Sequence, residues 1–154
     1  IVQCLVGSEM CIRDRHQTDL EQDTAADSVD ANLYQVHAIY NTGAFGFRAF
    51  YAMWDIDDAI ETTSGVTGAD KQEGFYFESS YKLVENLGIF ARYSEWDNTA
   101  GSGVVGDTAT DQIDVGINYW LTPTVVFKAD YQDQSNDDDT KASDGFNIGV
   151  GWSF

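Results

Sequence analysis

From residue 32 onward, apolar and polar residues alternate along the chain in seven separate stretches. Successive side chains of a strand point to opposite faces, so a period of two marks strands with one apolar and one wet face. The pattern is clearest over 145–154, where Phe146, Ile148, Val150, Trp152 and Phe154 alternate with Asn147, Gly149, Gly151 and Ser153. Over 32–40, Tyr34, Val36, Ala38 and Tyr40 oppose Gln35 and His37, with Leu33 and Ile39 blurring the rhythm. Over 45–55, Phe45, Phe47, Ala49, Tyr51 and Met53 oppose Gly46, Arg48 and Trp54. Phe75, Phe77, Tyr81 and Leu83 oppose Glu78, Ser80 and Lys82 over 73–83, and Leu87, Ile89, Ala91 and Tyr93 oppose Gly88, Arg92 and Ser94 over 87–94. Ile113, Val115, Ile117, Tyr119 and Leu121 oppose Gln112, Asp114, Gly116 and Asn118, and Val125, Phe127, Ala129 and Tyr131 oppose Lys128, Asp130 and Gln132.

The connections alternate as regularly as the strands. Short turns at 41–43, 84–86 and 122–124 take turns with long polar connections at 55–72, 97–111 and 133–144. Short turns on one rim and long loops on the other are what a transmembrane β-barrel shows, and a soluble sandwich has no reason to keep that order. Aromatics sort by height on the apolar face. Tyr40, Phe45, Tyr81, Tyr119, Trp152 and Phe154 lie at the short-turn ends, and Tyr34, Tyr51, Phe75, Tyr93, Tyr131 and Phe146 toward the long-loop ends. Residues such as Val36, Ala49, Ile89, Val115, Ile117 and Ile148 lie between, although Phe47, Phe77 and Phe127 intrude. Two aromatic girdles around an aliphatic belt fit a wall bathed in lipid. The turns also set a register. A three-residue turn at 84–86 puts Leu83 opposite Leu87, Tyr81 opposite Ile89, Phe77 opposite Tyr93 and Glu78 opposite Arg92, and the same count across 122–124 sets Lys128 beside Asn118.

Composition narrows the class. The 154 residues carry a net charge of -18, 14 glycines and one proline, and the mean hydropathy is -0.31. No apolar run is long enough for a transmembrane helix, and a slightly hydrophilic average is compatible with a membrane barrel whose loops are polar. Strong acidity argues against nucleic acid as a partner, because phosphates must be met by Lys and Arg. Both cysteines, Cys4 and Cys11, fall within residues 1–15, which lack the later alternation and the apolar core of an export signal. The run Leu5-Val-Gly-Ser-Glu-Met-Cys-Ile-Arg-Asp-Arg15 looks like a translated sequencing adapter, so 1–15 is expected to be foreign, and the rest the C-terminal part of a longer protein. Residues 16–30, with Asp19, Glu21, Asp23, Asp27 and Asp30, read as an acidic loop, and 31–154 as the strands.

Two stretches carry a family resemblance. Gly116-Ile-Asn-Tyr-Trp-Leu-Thr-Pro-Thr-Val-Val-Phe-Lys-Ala-Asp-Tyr-Gln132 resembles the penultimate hairpin of Gram-negative outer-membrane porins of the phosphate-selective O/P type, and Gly88-Ile-Phe-Ala-Arg-Tyr-Ser94 their preceding strand. The closing strand resembles the terminal strand of outer-membrane barrels. By that resemblance Phe146, Ile148, Val150, Trp152 and Phe154 form the signal read by the barrel-assembly machinery. The resemblance implies an antiparallel up-and-down β-barrel of roughly sixteen strands, homotrimeric, in the cell outer membrane, passing small solutes or ions. The family's anion-binding members carry dense basic residues in the pore, and this chain has few.

No enzyme is expected. His16 lies in the acidic segment and His37 on a polar strand face, and neither has a recognisable Ser or acid partner. No cofactor or metal motif is present, since the acidic runs 55–58 and 137–139 lack the glycine and closing glutamate of a calcium loop. The expected function is passive diffusion of small hydrophilic solutes and ions, including anions such as phosphate. The alternatives are a pore-less structural or adhesive barrel and a soluble all-β binding domain. Small lumen-side residues at Gly46, Gly88, Gly116, Gly149 and Gly151 favour a wide channel. The expected pore lining is His37, Arg48, Glu78, Lys82, Arg92, Asp114, Asn118, Lys128 and Asp130. Its basic and acidic members nearly balance, which predicts a weak anion preference from the wall and an acidic outer mouth that enriches cations. Seven strands cannot close a barrel, so an open, curved meander with both edges unpaired is expected.

Overall fold

The computed structural model describes residues 3–5, 10–12, 14–20, 29–56, 70–100, 109–136 and 143–153, with side chains from residue 31 onward. All its regular elements are strands: β1 (Gln3–Leu5), β2 (Met10–Ile12), β3 (Asp14–Leu20), β4 (Val29–Thr42), β5 (Phe45–Ile56), β6 (Lys71–Val84), β7 (Leu87–Asp97), β8 (Thr110–Thr122), β9 (Val125–Asn136) and β10 (Ser143–Trp152). β1 and β2 pair by themselves, with Cys4 opposite Cys11. β3 to β10 form one sheet in chain order, each strand antiparallel to the next. This is the up-and-down meander that the alternation predicts.

The seven expected strands are β4 to β10, and one expectation about them is corrected. Residues 16–20 do not lie in an acidic loop but in β3, which pairs with β4 from Asp14 opposite Gln35 to Leu20 opposite Val29. His16–Leu20 does not alternate apolar with polar residues, so periodicity cannot detect it; backbone pairing with the open edge of β4 makes it a strand. The edges left open among the described residues are therefore those of β3 and β10, not of β4, and these two strands do not pair with each other. The strands also run further toward the long connections than expected, so that Asp97, Asp111, Asp133 and Asp144 lie in the outer parts of strands rather than in loops.

The hairpins needed a second correction. The turn after β4 is the pair Gly43-Ala44, closed by Thr42 opposite Phe45. Gly43 has φ of 59°, a conformation that suits glycine at the first position of a two-residue hairpin. The turns at Glu85-Asn86 and Pro123-Thr124 also hold two residues, closed by Val84 opposite Leu87 and Thr122 opposite Val125. Leu83 therefore does not face Leu87. Leu83 and Leu121 are instead the extra residues of β-bulges, which let a tight turn follow the strand twist. Inward of each bulge the counted register holds: Tyr81 faces Ile89, Glu78 faces Arg92, Phe77 faces Tyr93 and Asn118 faces Lys128. The turns are stitched to the next hairpin, because the carbonyls of Ala44, Asn86 and Thr124 accept hydrogen bonds from the amides of Lys82, Trp120 and Ser153 at 2.8, 2.9 and 2.9 Å.

Burial runs opposite to that of a protein folded in water. Ala31 is the one buried apolar residue among the described residues, and the buried polar ones are Glu78 and Asp114. The apolar face is open throughout, with Phe77 50%, Ile113 52%, Ile117 48% and Phe127 43% exposed. A large apolar side chain left in water forgoes about 1.5–3 kcal/mol, so a whole face of them calls for an apolar medium outside the sheet. The polar face is the more crowded one. On the outside, ring contacts run from Phe45–Tyr81 at 4.7 Å near the short turns to Tyr131–Phe146 at 5.0 Å and Phe75–Tyr93 at 5.9 Å near the long connections. Phe47 and Phe77, which intrude on the aliphatic belt, stack at 6.3 Å, and Phe47 also stacks on Phe45 of the short-turn girdle at 6.3 Å.

Candidate functional site: a charged rung on the polar face

Alternation puts every second residue of β4 to β10 on the polar face, and the register then decides which of them meet. One row across the sheet reads Ile39, Arg48, Glu78, Arg92, Asp114, Gln132 and Gly145. Four of the candidate residues thus stand side by side with alternating sign. Glu78 is the hub. One carboxylate oxygen accepts from Arg48 Nη1 at 2.9 Å, and the other from Arg92 Nε at 3.1 Å and Nη2 at 2.5 Å. The Arg92 guanidinium also lies 5.0 Å over the ring of Tyr76. Asp114 accepts from Gln112 Nε2 at 2.7 Å.

Exposure separates the signs. Glu78 and Asp114 are buried, and the Glu78 side chain is only 6% exposed, whereas the side chains of Arg48 and Arg92 are 51% and 37% exposed. A carboxylate on a stem of one or two carbons stays against the wall, while a guanidinium on a longer stem lies over it. The row is formally balanced, but it presents positive charge outward.

The other candidates lie on the same face in neighbouring rows. Lys82 is exposed, with its ammonium 5.6 Å from the Trp120 ring centroid. Lys128 is exposed between Asn118 and Gly149. Asp130 accepts from Asn147 Nδ2 at 2.8 Å. His37 packs edge-on to Phe50 at 6.2 Å, and its Nε2, like Asn118 Oδ1, is enclosed without a protein hydrogen-bond partner. Phe146, Ile148, Val150 and Trp152 lie on the apolar face of β10, with Phe146 and Ile148 at 83% and 86% exposure. Phe154 and the acidic run 137–139 lie outside the described residues, as do Asp57 and Asp58. Among the described residues no group of acids, histidines or cysteines is arranged to hold a metal ion.

Tyr76 and Gln112 were missed from the sequence. They hold Arg92 and Asp114 in place, and the only signal for either was its polar-face parity. Glycines make room for the large rings on this face. A Cβ built on Gly88 would meet the Trp120 ring at 3.2 Å, and one on Gly116 would meet Phe90 Cε1 at 2.7 Å. Trp120 and Phe90 therefore lie down on the wall rather than stand out from it.

An antiparallel meander with an exposed apolar face and a crowded, charged polar face fits the wall of a channel that sits in lipid. Residues 2–150 match the family model described as phosphate-selective porin O and P, and the match takes in residues 2–15, which the composition sets apart. No curated protein matches the chain. The family is one of channels rather than enzymes, and the match spans nearly all of the sequence: this chain belongs to the phosphate-selective porin O and P family.

Proposed function

We propose that the polar face lines a water-filled pore for passive diffusion of small hydrophilic solutes and ions across the outer membrane, with a weak anion preference set by the wall. The observation that carries this reading is the exposure split along the charged row. Its carboxylates are buried in the wall and its guanidiniums are open to the lumen, so a passing ion meets Arg48 and Arg92 before Glu78 and Asp114. Lys82 and Lys128, both exposed, add to the same effect. Inorganic phosphate is among the anions that such a wall admits. The acids at the long-connection ends, Asp97, Asp111, Asp133 and Asp144, enrich cations at the outer mouth, an effect screened beyond about 8 Å at physiological salt. Lipid contacts the apolar face. The strand from Phe146 to Phe154 serves as the assembly signal, and the working channel is a homotrimer.

Reversal potentials of the channel in a salt gradient test the reading. Neutralising Arg48, Arg92 and Lys128 to Gln is expected to move the channel from weak anion toward cation preference. A strong cation preference that these changes leave untouched would sink the proposal.

A further inference from the structure

Between the charged row and the long-connection rim, the polar face changes character. The next row holds Phe50, Tyr76 and Ser94; the one after holds Ala52, Gly74 and Trp96; the last pairs Trp54 with Gln72. Large rings thus surround a row in which Ala52 and Gly74 leave the backbone almost bare. The result is a shallow concavity of about 400 Å³ lined by Phe50, Trp54, Tyr76 and Trp96 with polar groups from Gln72, Ser94 and Asn98; Glu73 and Glu95 also border it, but they belong to the opposite parity and their carboxylates accept from Tyr51 and Tyr93. That is the size of a small-molecule site, which combines apolar and aromatic lining with a few polar groups. Phe50 and Tyr76 stack at 5.6 Å and 21°, and all four rings stay partly open to solvent. Elsewhere on this face Trp120 and Phe90 are laid on glycines; here Trp96 stands beside Gly74, where a Cβ would meet the Trp96 Cβ at 3.0 Å, and Phe50, Trp54 and Tyr76 border the rest of the gap.

Charge at one end of the gap says what fits it. The Arg92 guanidinium lies 5.0 Å over Tyr76, one of the lining rings, while its Nε and Nη2 hold Glu78, and Arg48, two residues from Phe50 along β5, binds Glu78 through one nitrogen while half of its side chain is open. We propose that this strip docks small aromatic carboxylates, with the ring over Ala52 and Gly74 and the carboxylate turned toward Arg92 and Arg48. Planar guanidiniums suit carboxylates through paired N–H donors. The inference rests on the pore assignment of this face and adds a solute class to it.

The test uses benzoate as probe, with acetate matching its charge and benzyl alcohol its ring. The channel is assembled in phospholipid vesicles with every tryptophan other than Trp54 and Trp96 replaced by Phe, so that only these two report by fluorescence. Benzoate is expected to give a saturable change at about tenfold lower concentration than either control. Ala52→Leu, which fills the concavity with an apolar side chain, is expected to abolish it, and Arg92→Gln to weaken benzoate but not benzyl alcohol. Acetate matching benzoate would overturn the aromatic part, and benzyl alcohol matching it the carboxylate part. Benzoate binding unchanged in Ala52→Leu would overturn the location. If benzoate fails to saturate while reversal potentials still favour anions, this inference falls and the pore reading stands. Loss of anion preference in the unaltered channel removes the pore reading instead.

Discussion

The two faces of the sheet place their residues by opposite rules. On the apolar face Ile117 sits between Ile89 and Ala129 with 48% of its surface open, whereas on the polar face Glu78 sits between two arginines with 4% open. A protein folded in water buries the first kind of residue and solvates the second. Here the polar face is the denser one, and the carboxylate at its centre is satisfied by Arg48 and Arg92. The outer face is loose because its partner is not protein. The difference teaches that a sheet's medium can be read from which side its charges crowd.

The sharpest way to break that comparison is to put a charge on the loose face. Ile117→Arg places a guanidinium at mid-height of the apolar belt, where a lipid-facing Arg costs about 2–4 kcal/mol. Gln112→Arg, on the polar face of the same strand, is expected to change stability far less. Urea titration of folding into phospholipid vesicles reads both. Equal effects would mean that the apolar face does not meet lipid.

Glu78→Gln probes the crowded face. The amide keeps the shape but gives up the carboxylate that holds Arg48 and Arg92, and hydrogen bonds to charged groups contribute about 1.5–3 kcal/mol each way they are measured. The loss is expected near the low end, because both arginines are partly open and water solvates them when released. Selectivity should move the other way, with a stronger anion preference in reversal-potential measurements. A destabilised channel with unchanged selectivity would make the row a structural clamp alone.

The sequence discloses pairings within a hairpin and not those across a long connection. Pairings within a hairpin could be counted outward from its turn, so Glu78 opposite Arg92 and Asn118 opposite Lys128 were legible. Arg48 opposite Glu78 was not, because a long connection separates β5 from β6 and no turn fixes the count. Leu83 and Leu121 obey the alternation as residues, yet they bulge out of the pairing, and nothing in their side chains announces it. β3 escaped because edge pairing needs only a backbone. The concavity at Ala52 and Gly74 escaped for the same reason as Arg48: it exists only once β5, β6 and β7 are in register.

Glycines sharpen the comparison within the polar face itself. A Cβ on Gly116, in the middle of the sheet, would come within 2.6 Å of the Ala129 carbonyl oxygen, 2.7 Å of Asp130 Cβ and 2.7 Å of Phe90 Cε1. The carbonyl is fixed by the ladder between β8 and β9, so the strain cannot be relieved by turning one flexible side chain. Overpacking of this kind costs about 1–3 kcal/mol. Gly149 lies on the same face of β10, which has a neighbour on one side only among the described residues, and a Cβ there would meet nothing within 4 Å. Gly149→Ala is therefore expected to stay within about 0.5 kcal/mol of the parent, against a clear loss for Gly116→Ala in the same urea titration. A cost at Gly149 as large as that at Gly116 would mean that β10 is packed against a further element in the membrane, and that the polar face is as dense at this edge as at its centre.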